Sequence, residues 1–324
     1  MAERYHGGNT MPHSILGLHH VTATVDDAQA DLDFCVDRLG MRLVKKTVNF
    51  DNPGVYHFYY GTERGAPGTI WTTFPYGGKG VRPGLIGAGQ VVGTALSVPA
   101  ASIDAWCARL ETSGTSTVLE GERLGERVLR AIDPSGLVIE LIGTDRDPRS
   151  PWTGHGLDSS EAIRGIHSVS LLVADAEPTI ALMTGLLGYE VVQSAGPRTR
   201  LAAGAHLPGH FIDVVADPSS RRGVNGIGTV HHVAMAIGTA DEQLQLRADL
   251  EAHGIGVTPV MDRCYFTSIY FREPGGVLFE VATAGPGFLI DEDAGSLGRD
   301  LKLPPWEERN RLRIEAGLPV VSYR

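Results

Sequence analysis

The feature that most constrains this chain is an internal repeat that occurs four times. Positions 19, 93, 167 and 231 open strand-like runs, contained in LHHVTATV, GTALSV, IHSVSLLV and VHHVAMAI, and each run leads into a helical stretch. Glycines at 40, 114, 188 and 254 close those helices, 21, 21, 21 and 23 residues after the openings. Gly just past a helix is the usual left-handed stop, so these four positions mark architecture and not chemistry. Further strands follow each glycine: RLVKKTV, GVYHFYYG and GTIWTTF in module one, and residues 127–132 and 137–142 in module two. Module three continues with YEVVQS and HFIDVVA, and module four with MDRCYFTSIYFREPGGVLFEVAT. The repeat unit is β-α-β-β-β, which predicts an α+β fold: four modules paired into two half-open curled sheets with helices outside.

Punctuation divides the chain further. Residues 15–144 hold modules one and two, and 161–285 hold modules three and four. Between them, 145–160 (DRDPRSPWTGHGLDSS) reads as a linker rich in Pro, Gly and charge. Residues 286–324 form a tail in which LGRDLKLPPWEERNRLRIEAGLP predicts a proline-broken segment and then a helix from 306 to 316, packed outside the modules. Residues 1–14 read as a disordered lead-in without the apolar run of a signal peptide.

Composition narrows the function classes. A net charge of −10 argues against nucleic acid or an anionic membrane as the main partner, because both select for basic surface. Three scattered cysteines, with no C-x-x-C pair, suit a reducing compartment, so the expected location is cytoplasmic. No apolar run is long enough to span a bilayer. A small molecule is the expected partner, and a homo-oligomer is left open.

The repeat also aligns candidate ligands. His20, Thr94, Ser168 and His232 share one position of the first strand, and Thr72, Glu140, Asp213 and Glu280 share one position of the last. Alternation places His232 away from the apolar face made by Val233, Met235 and Ile237. If modules one and four share a cavity, it receives His20, His232 and Glu280 with Thr72 at the fourth place. If one pairs with two and three with four, each cavity has a single His and an incomplete set, so the pairing of one with four is expected. Two imidazoles and a carboxylate on one face, with positions left open, suit non-haem Fe(II) and O₂ chemistry, although zinc or nickel could take the same ligands.

GLHHVTATVDDAQADLDFCVDRLGMRLVKKTVNFDNPGVYHFYYG, GTIWTTFPYGG and the LKLPPWEERNRLRIEAGLP tail together resemble the vicinal oxygen chelate superfamily, in particular its ring-cleaving dioxygenases of hydroquinones. The resemblance implies an Fe(II) centre, with Mn(II) as a second candidate, held by His20, His232 and Glu280. It further implies catalytic or supporting roles for His19, Thr22, His231, Arg263 and Tyr270, although alternation sets His19 and His231 opposite the ligands. The implied activity is an extradiol-type dioxygenase that cleaves a substituted aromatic diol with O₂, in aromatic hydrocarbon catabolism. Two rivals share the fold: a glyoxalase-type metal-dependent isomerase or lyase, and a non-enzymatic protein that binds aromatic ligands. Trp71, Phe74, Tyr76 and Phe266 are candidates for the pocket wall.

Overall fold

The computed structural model describes residue 13 and residues 15–322. The lead-in expected over 1–14 therefore lies, His13 apart, outside the described residues. His13 itself is anchored, with its Nε2 2.7 Å from Asp249 Oδ2.

Module one comprises β1 (Leu18–Val25), α1 (Ala28–Leu32), β2 (Arg42–Asn49), β3 (Asn52–Gly61) and β4 (Ile70–Pro75). Module two comprises β5 (Gln90–Val98), α2 (Ile103–Thr112), β6 (Thr117–Arg123), β7 (Glu126–Ile132) and β8 (Val138–Gly143). Module three has β9 (Gly165–Val173), α3 (Glu177–Gly185), β10 (Tyr189–Ala195), β11 (Arg198–Ala203) and β12 (Phe211–Ala216). Module four has β13 (Thr229–Ile237), α4 (Ala240–Ala252), β14 (Met261–Asp262), β15 (Thr267–Arg272) and β16 (Leu278–Thr283). The glycines at 40, 114, 188 and 254 all have positive φ, as a left-handed stop requires.

The strands form two sheets of eight. One runs β14-β15-β16-β13-β1-β4-β3-β2 and joins module four to module one, and the other runs β10-β11-β12-β9-β5-β8-β7-β6 and joins module three to module two. The sequence linker thus lies between two modules that share a sheet. Its Arg149 donates to the carbonyls of Gly68 and Ile166, so it is stitched into both halves. The connectors between modules one and two and between three and four also meet, through bridges such as Leu85 with Val224.

Each first strand has one apolar face and one mixed face. On β1, Val21, Ala23 and Val25 are fully buried in the core beneath α1, with Leu32, Phe58 and Tyr60. Burying a side chain of this size stabilises the fold by roughly 1.5–3 kcal/mol. His20, Thr22 and Thr24 take the other face, inside the curl of the sheet.

Three local features differ from the sequence reading. β6 and β11 are additional strands: β6 exposes most of its length, and β11 carries Arg198 and Arg200 on an inward face, so neither shows an apolar alternation. The first helix widens after Leu32 into a π-helical stretch, Asp33–Arg38. In the tail, the α-helix α5 covers Arg311–Gly317 after a 3₁₀ turn at Glu308–Asn310, and Trp306 precedes both; Pro304 and Pro305 and the absence of a side-chain cap at Asn310 delay it. The tail also straps module one, where buried Lys45 on β2 is held by Asp291 at 2.5 Å and by Glu292. Among the described residues no helix is long and apolar enough to cross a membrane.

Candidate metal centre

Strand register brings the expected ligands together. β1 and β13 are antiparallel, with His20 opposite Ala234 and Thr22 opposite His232. β16 runs parallel to β13 with Glu280 beside Ala234, and β4 runs parallel to β1 with Thr72 beside Thr22. Glu280, Ala234 and His20 therefore make one row across three strands, and His232, Thr22 and Thr72 make the next.

The donor atoms converge at one point. His20 Nε2 lies 3.2 Å from His232 Nε2 and 3.2 Å from Glu280 Oε2, and His232 Nε2 lies 2.8 Å from Glu280 Oε2. Two donors at right angles, each ~2.1 Å from one ion, stand about 3.0 Å apart, so the spacing suits a facial set. Glu280 Oε1 accepts a hydrogen bond from Ser268 Oγ, whereas buried Oε2 has no hydrogen-bond partner among the described residues. An orphaned carboxylate oxygen in the interior is costly, and a cation between the three side chains would satisfy it. Burial pushes the Glu280 carboxyl up, but His20 and His232 facing it more than offset this and hold it well below the ordinary range. Burial also lowers His232, with Glu280 opposing. A neutral imidazole beside an ionised carboxylate is the state in which such groups bind metal.

The tandem histidines complete the arrangement. His20 Nδ1 is 2.9 Å from His19 Nδ1, and His232 Nδ1 is 2.7 Å from His231 Nδ1. Alternation alone would keep these neighbours apart, yet the paired rings sit edge-on, with interplanar angles of 80° in both pairs. Burial, more than the neighbouring imidazole, lowers both His19 and His231 to about 3, so both are neutral. The Thr283 backbone is a further polar neighbour of His19. A ligand that uses Nε2 carries its proton on Nδ1, and the preceding His accepts it.

Tyr270 stands opposite Glu280 across β15 and β16, with its ring edge-on to His232 at 5.7 Å. Its hydroxyl accepts from Arg263 Nε at 3.0 Å. Burial, then Glu280, pushes the phenol above its ordinary value despite Arg263, so Tyr270 stays protonated. Arg263 extends past it to Asp51 Oδ2 at 3.2 Å, which ties the β14–β15 turn to the β2–β3 turn at opposite edges of the sheet. Beneath lies a cavity of about 520 Å³ reaching all three ligands, with walls that include Phe74, Tyr76, His231, Phe266 and Tyr270. His19 and Thr22 sit behind that wall, and Trp71 belongs to the core. Thr22 accepts from Thr72 Oγ1 at 2.8 Å.

His57, Tyr59, Ser268 and Asp51 also belong to this site and did not emerge from the sequence. His57 had a readable signal: it shares the inward face of VYHFYY with Tyr59, while Tyr56, Phe58 and Tyr60 fill the outward one. Ser268 had none, because a small hydroxyl in a strand carries no periodic signature.

The second sheet holds a cup of the same topology with different contents. Glu140 accepts a bidentate pair from Arg123, and Asp213 is gripped by Arg198 and Arg200. His167 reaches Glu126 instead, at 3.2 Å. Register also corrects the expected alignment. Gly93 pairs with Ser170 and Ala95 with Ser168, so Gly93, not Thr94, is the counterpart of His20. β1 carries the equivalent bulge, between Leu18 and His20, so the one-residue offset is one of spacing along the chain, and it puts Thr94 on the other face.

The sequence profile of the Glyoxalase/Bleomycin resistance protein/Dioxygenase superfamily matches residues 17–141 and 165–281. The chain is 45% identical over 304 residues to a Bacillus subtilis (strain 168) protein named "Putative ring-cleaving dioxygenase MhqE", covering 94% of this chain and 98% of that one. It is 36% identical over 303 residues to the "Chlorohydroquinone/hydroquinone 1,2-dioxygenase" of Sphingobium indicum, covering 91% and 93%. A crystal structure of a "putative dioxygenase" from Bacillus subtilis superimposes with a TM-score of 0.92 at 40% identity, covering 96% of this chain and 99% of that one.

Proposed function

The chain belongs to the glyoxalase/bleomycin resistance protein/dioxygenase superfamily, and we propose that within it the protein is an Fe(II)-dependent dioxygenase that cleaves the ring of a hydroquinone-type aromatic diol with O₂. The observation that carries this reading is the buried convergence of His20, His232 and Glu280, with one carboxylate oxygen unpartnered, at the floor of an aromatic-walled cavity. The relatives named for ring cleavage and for hydroquinone support the substrate class.

Bound Fe(II) would supply one redox-active centre at which the diol and O₂ are held side by side. The residues around it have separable tasks. Phe74, Tyr76 and Phe266 flank the ring of the substrate and keep water from it. His231, its Nδ1 taken up by His232 and its own proton then on Nε2, lines the cavity as a neutral donor to a substrate oxygen. Tyr270, held as a phenol and fixed by Arg263, donates to the oxygen on which negative charge develops, and Arg263 adds its fixed charge. Ring opening incorporates both atoms of O₂ beside a hydroxylated carbon, the extradiol-type outcome. Mn(II) is a second metal that the same donors accept. The reading carries with it a cytoplasmic location and no nucleic-acid or membrane partner, as the charge of −10 favours.

Thr72 weighs against the glyoxalase-type alternative. It stands where a fourth ligand would complete the set, and it offers there a neutral hydroxyl, already engaged by Thr22 and His57, in place of a carboxylate. The test is oxygen uptake by anaerobically Fe(II)-loaded protein given hydroquinone, methylhydroquinone, chlorohydroquinone or catechol, with His232→Ala as control. We expect uptake matched to loss of aromatic absorbance, and in the variant loss of both metal and activity. Turnover retained in the variant, or conversion of a hemithioacetal without oxygen uptake, overturns the assignment.

A further inference from the structure

Modules one and four face each other across the cavity, and comparing them position by position isolates one group that the proposed chemistry has not used. In module four, Tyr270 stands opposite Glu280, and Ser268, two residues earlier, hydrogen-bonds the Glu280 carboxylate. In module three, Arg200 stands opposite Asp213, and Arg198, two residues earlier, binds it. In module one, Tyr59 stands opposite Thr72, and His57, two residues earlier, lies with Nε2 3.0 Å from Thr72 Oγ1. His57 thus occupies the place that elsewhere orients a carboxylate, but its partner is a threonine and not a ligand. The module-one side of the centre is consequently open to a substrate, and His57 is a polar group waiting on that side.

The hydrogen-bond chain fixes which proton His57 carries. Thr72 has one hydroxyl hydrogen and donates it to Thr22 Oγ1. Thr72 Oγ1 can therefore only accept from His57, so the His57 proton is on Nε2. The ring is neutral: burial, reinforced by the His20 and His232 imidazoles, holds it well below its ordinary value. Nδ1 is left as a bare acceptor with no hydrogen-bond partner among the described residues. The ring lines the cavity, wedged between Tyr59 at 4.0 Å and Phe74 at 4.3 Å between centroids, which restrains its orientation.

We propose that His57 is a specificity-determining substrate contact, whose Nδ1 accepts the hydrogen of the diol hydroxyl that does not bind the metal. This inference rests on the aromatic-diol reading above and adds a reason for the second hydroxyl. A phenol without it leaves Nδ1 desolvated and unpaired, and so binds more weakly. A neutral hydrogen bond in such a site is worth about three- to ten-fold in affinity, or roughly 0.7–1.4 kcal/mol.

The test uses full-length protein loaded with redox-inert Zn(II), so that binding is read without turnover. Hydroquinone and 4-methoxyphenol, which cannot donate from its second oxygen, are titrated against wild type, His57→Phe, His57→Gln and His57→Asn. Circular dichroism and metal content check that each variant is folded and loaded. Wild type is expected to prefer hydroquinone three- to ten-fold. Phe and Gln, which lack an acceptor at the Nδ1 position, should reduce that preference to within two-fold. Asn, whose side chain can present an oxygen near that position, should restore part of it. A preference that persists in the folded, loaded Phe and Gln variants overturns the role of His57, as does its absence from wild type that still binds both phenols. If wild type binds neither phenol and its Fe(II) form takes up no oxygen, the dioxygenase reading fails, and this inference with it.

Discussion

The cost of an unsatisfied polar atom explains most of the choices made around the three ligands. Ser268 engages one oxygen of Glu280, and the other faces the two imidazole Nε2 atoms, where a cation would satisfy all three donors at once. His20 and His232 are constrained twice, through Nε2 at the centre and through Nδ1 against His19 and His231. Removing that outer acceptor frees the ligand ring to rotate and to exchange tautomers, which weakens metal binding without deleting a donor. His231→Ala is therefore expected to lower metal affinity by about 10- to 100-fold while leaving one site per chain, read by competition with a chromophoric chelator. Unchanged affinity would mean that the Nδ1 contact only fills space. At this scale the sequence was informative where a residue type violated its surroundings. His232 and Glu280 interrupt apolar strands, and the repeat supplied His20. It was uninformative for Ser268 and for the tautomer of His57, because each depends on a hydrogen bond to another strand.

The first helix shows how an element carries a polar residue into the core. Asp27 caps it, its side chain accepting from Ala30 N. Asp31 then lies buried against the sheet, where its Oδ2 accepts from Tyr60 at 2.7 Å and from Thr73 at 2.5 Å. Burial pushes its carboxyl up to about 7, with the hydrogen bonds from Thr73 and Tyr60 opposing. A carboxyl whose folded value exceeds its unfolded value, about 3.9, holds its proton longer in the folded state. Its stabilising contribution is then complete below about pH 4 and is lost as pH rises through about 7. Asn at this position cannot ionise. Asp31→Asn should therefore gain on wild type between pH 5 and pH 8, by on the order of a few kcal/mol, in urea unfolding followed at each pH. A difference that stays constant across that range would show that Asp31 is ionised throughout. The strands that escaped sequence reading, β6 and β11, have a related cause: their inward side chains include Arg123, Arg198 and Arg200, which neutralise Glu140 and Asp213, so a polar pattern marks a buried face.

Across the whole molecule, one architecture encloses two cups of opposite chemistry. In the first the inward carboxylate meets imidazoles, and in the second the inward carboxylates meet guanidinium groups. The pairing of module one with module four was legible because only that pairing completes a ligand set. The contents of the second cup were not, because they come from strands without an apolar signature and from a one-residue difference in spacing that puts Gly93 in the place expected for Thr94. The topology also has a consequence for how the chain can be divided. A fragment of residues 15–160 contains His20 but neither His232 nor Glu280, and it leaves β1 and β5 without the neighbours β13 and β9 that they have in the intact sheets. Those unpaired edges expose ladder groups and apolar faces, which favours association over folding. Fragments 15–160 and 161–322 made separately should thus be unfolded or aggregated and bind no metal at the affinity of the intact chain. Refolded together they should recover one metal per pair of fragments, measured by chelator competition and sedimentation. Tight metal binding by monomeric 15–160 would require a ligand set other than His20, His232 and Glu280, and would overturn the cross-sheet assembly of the centre.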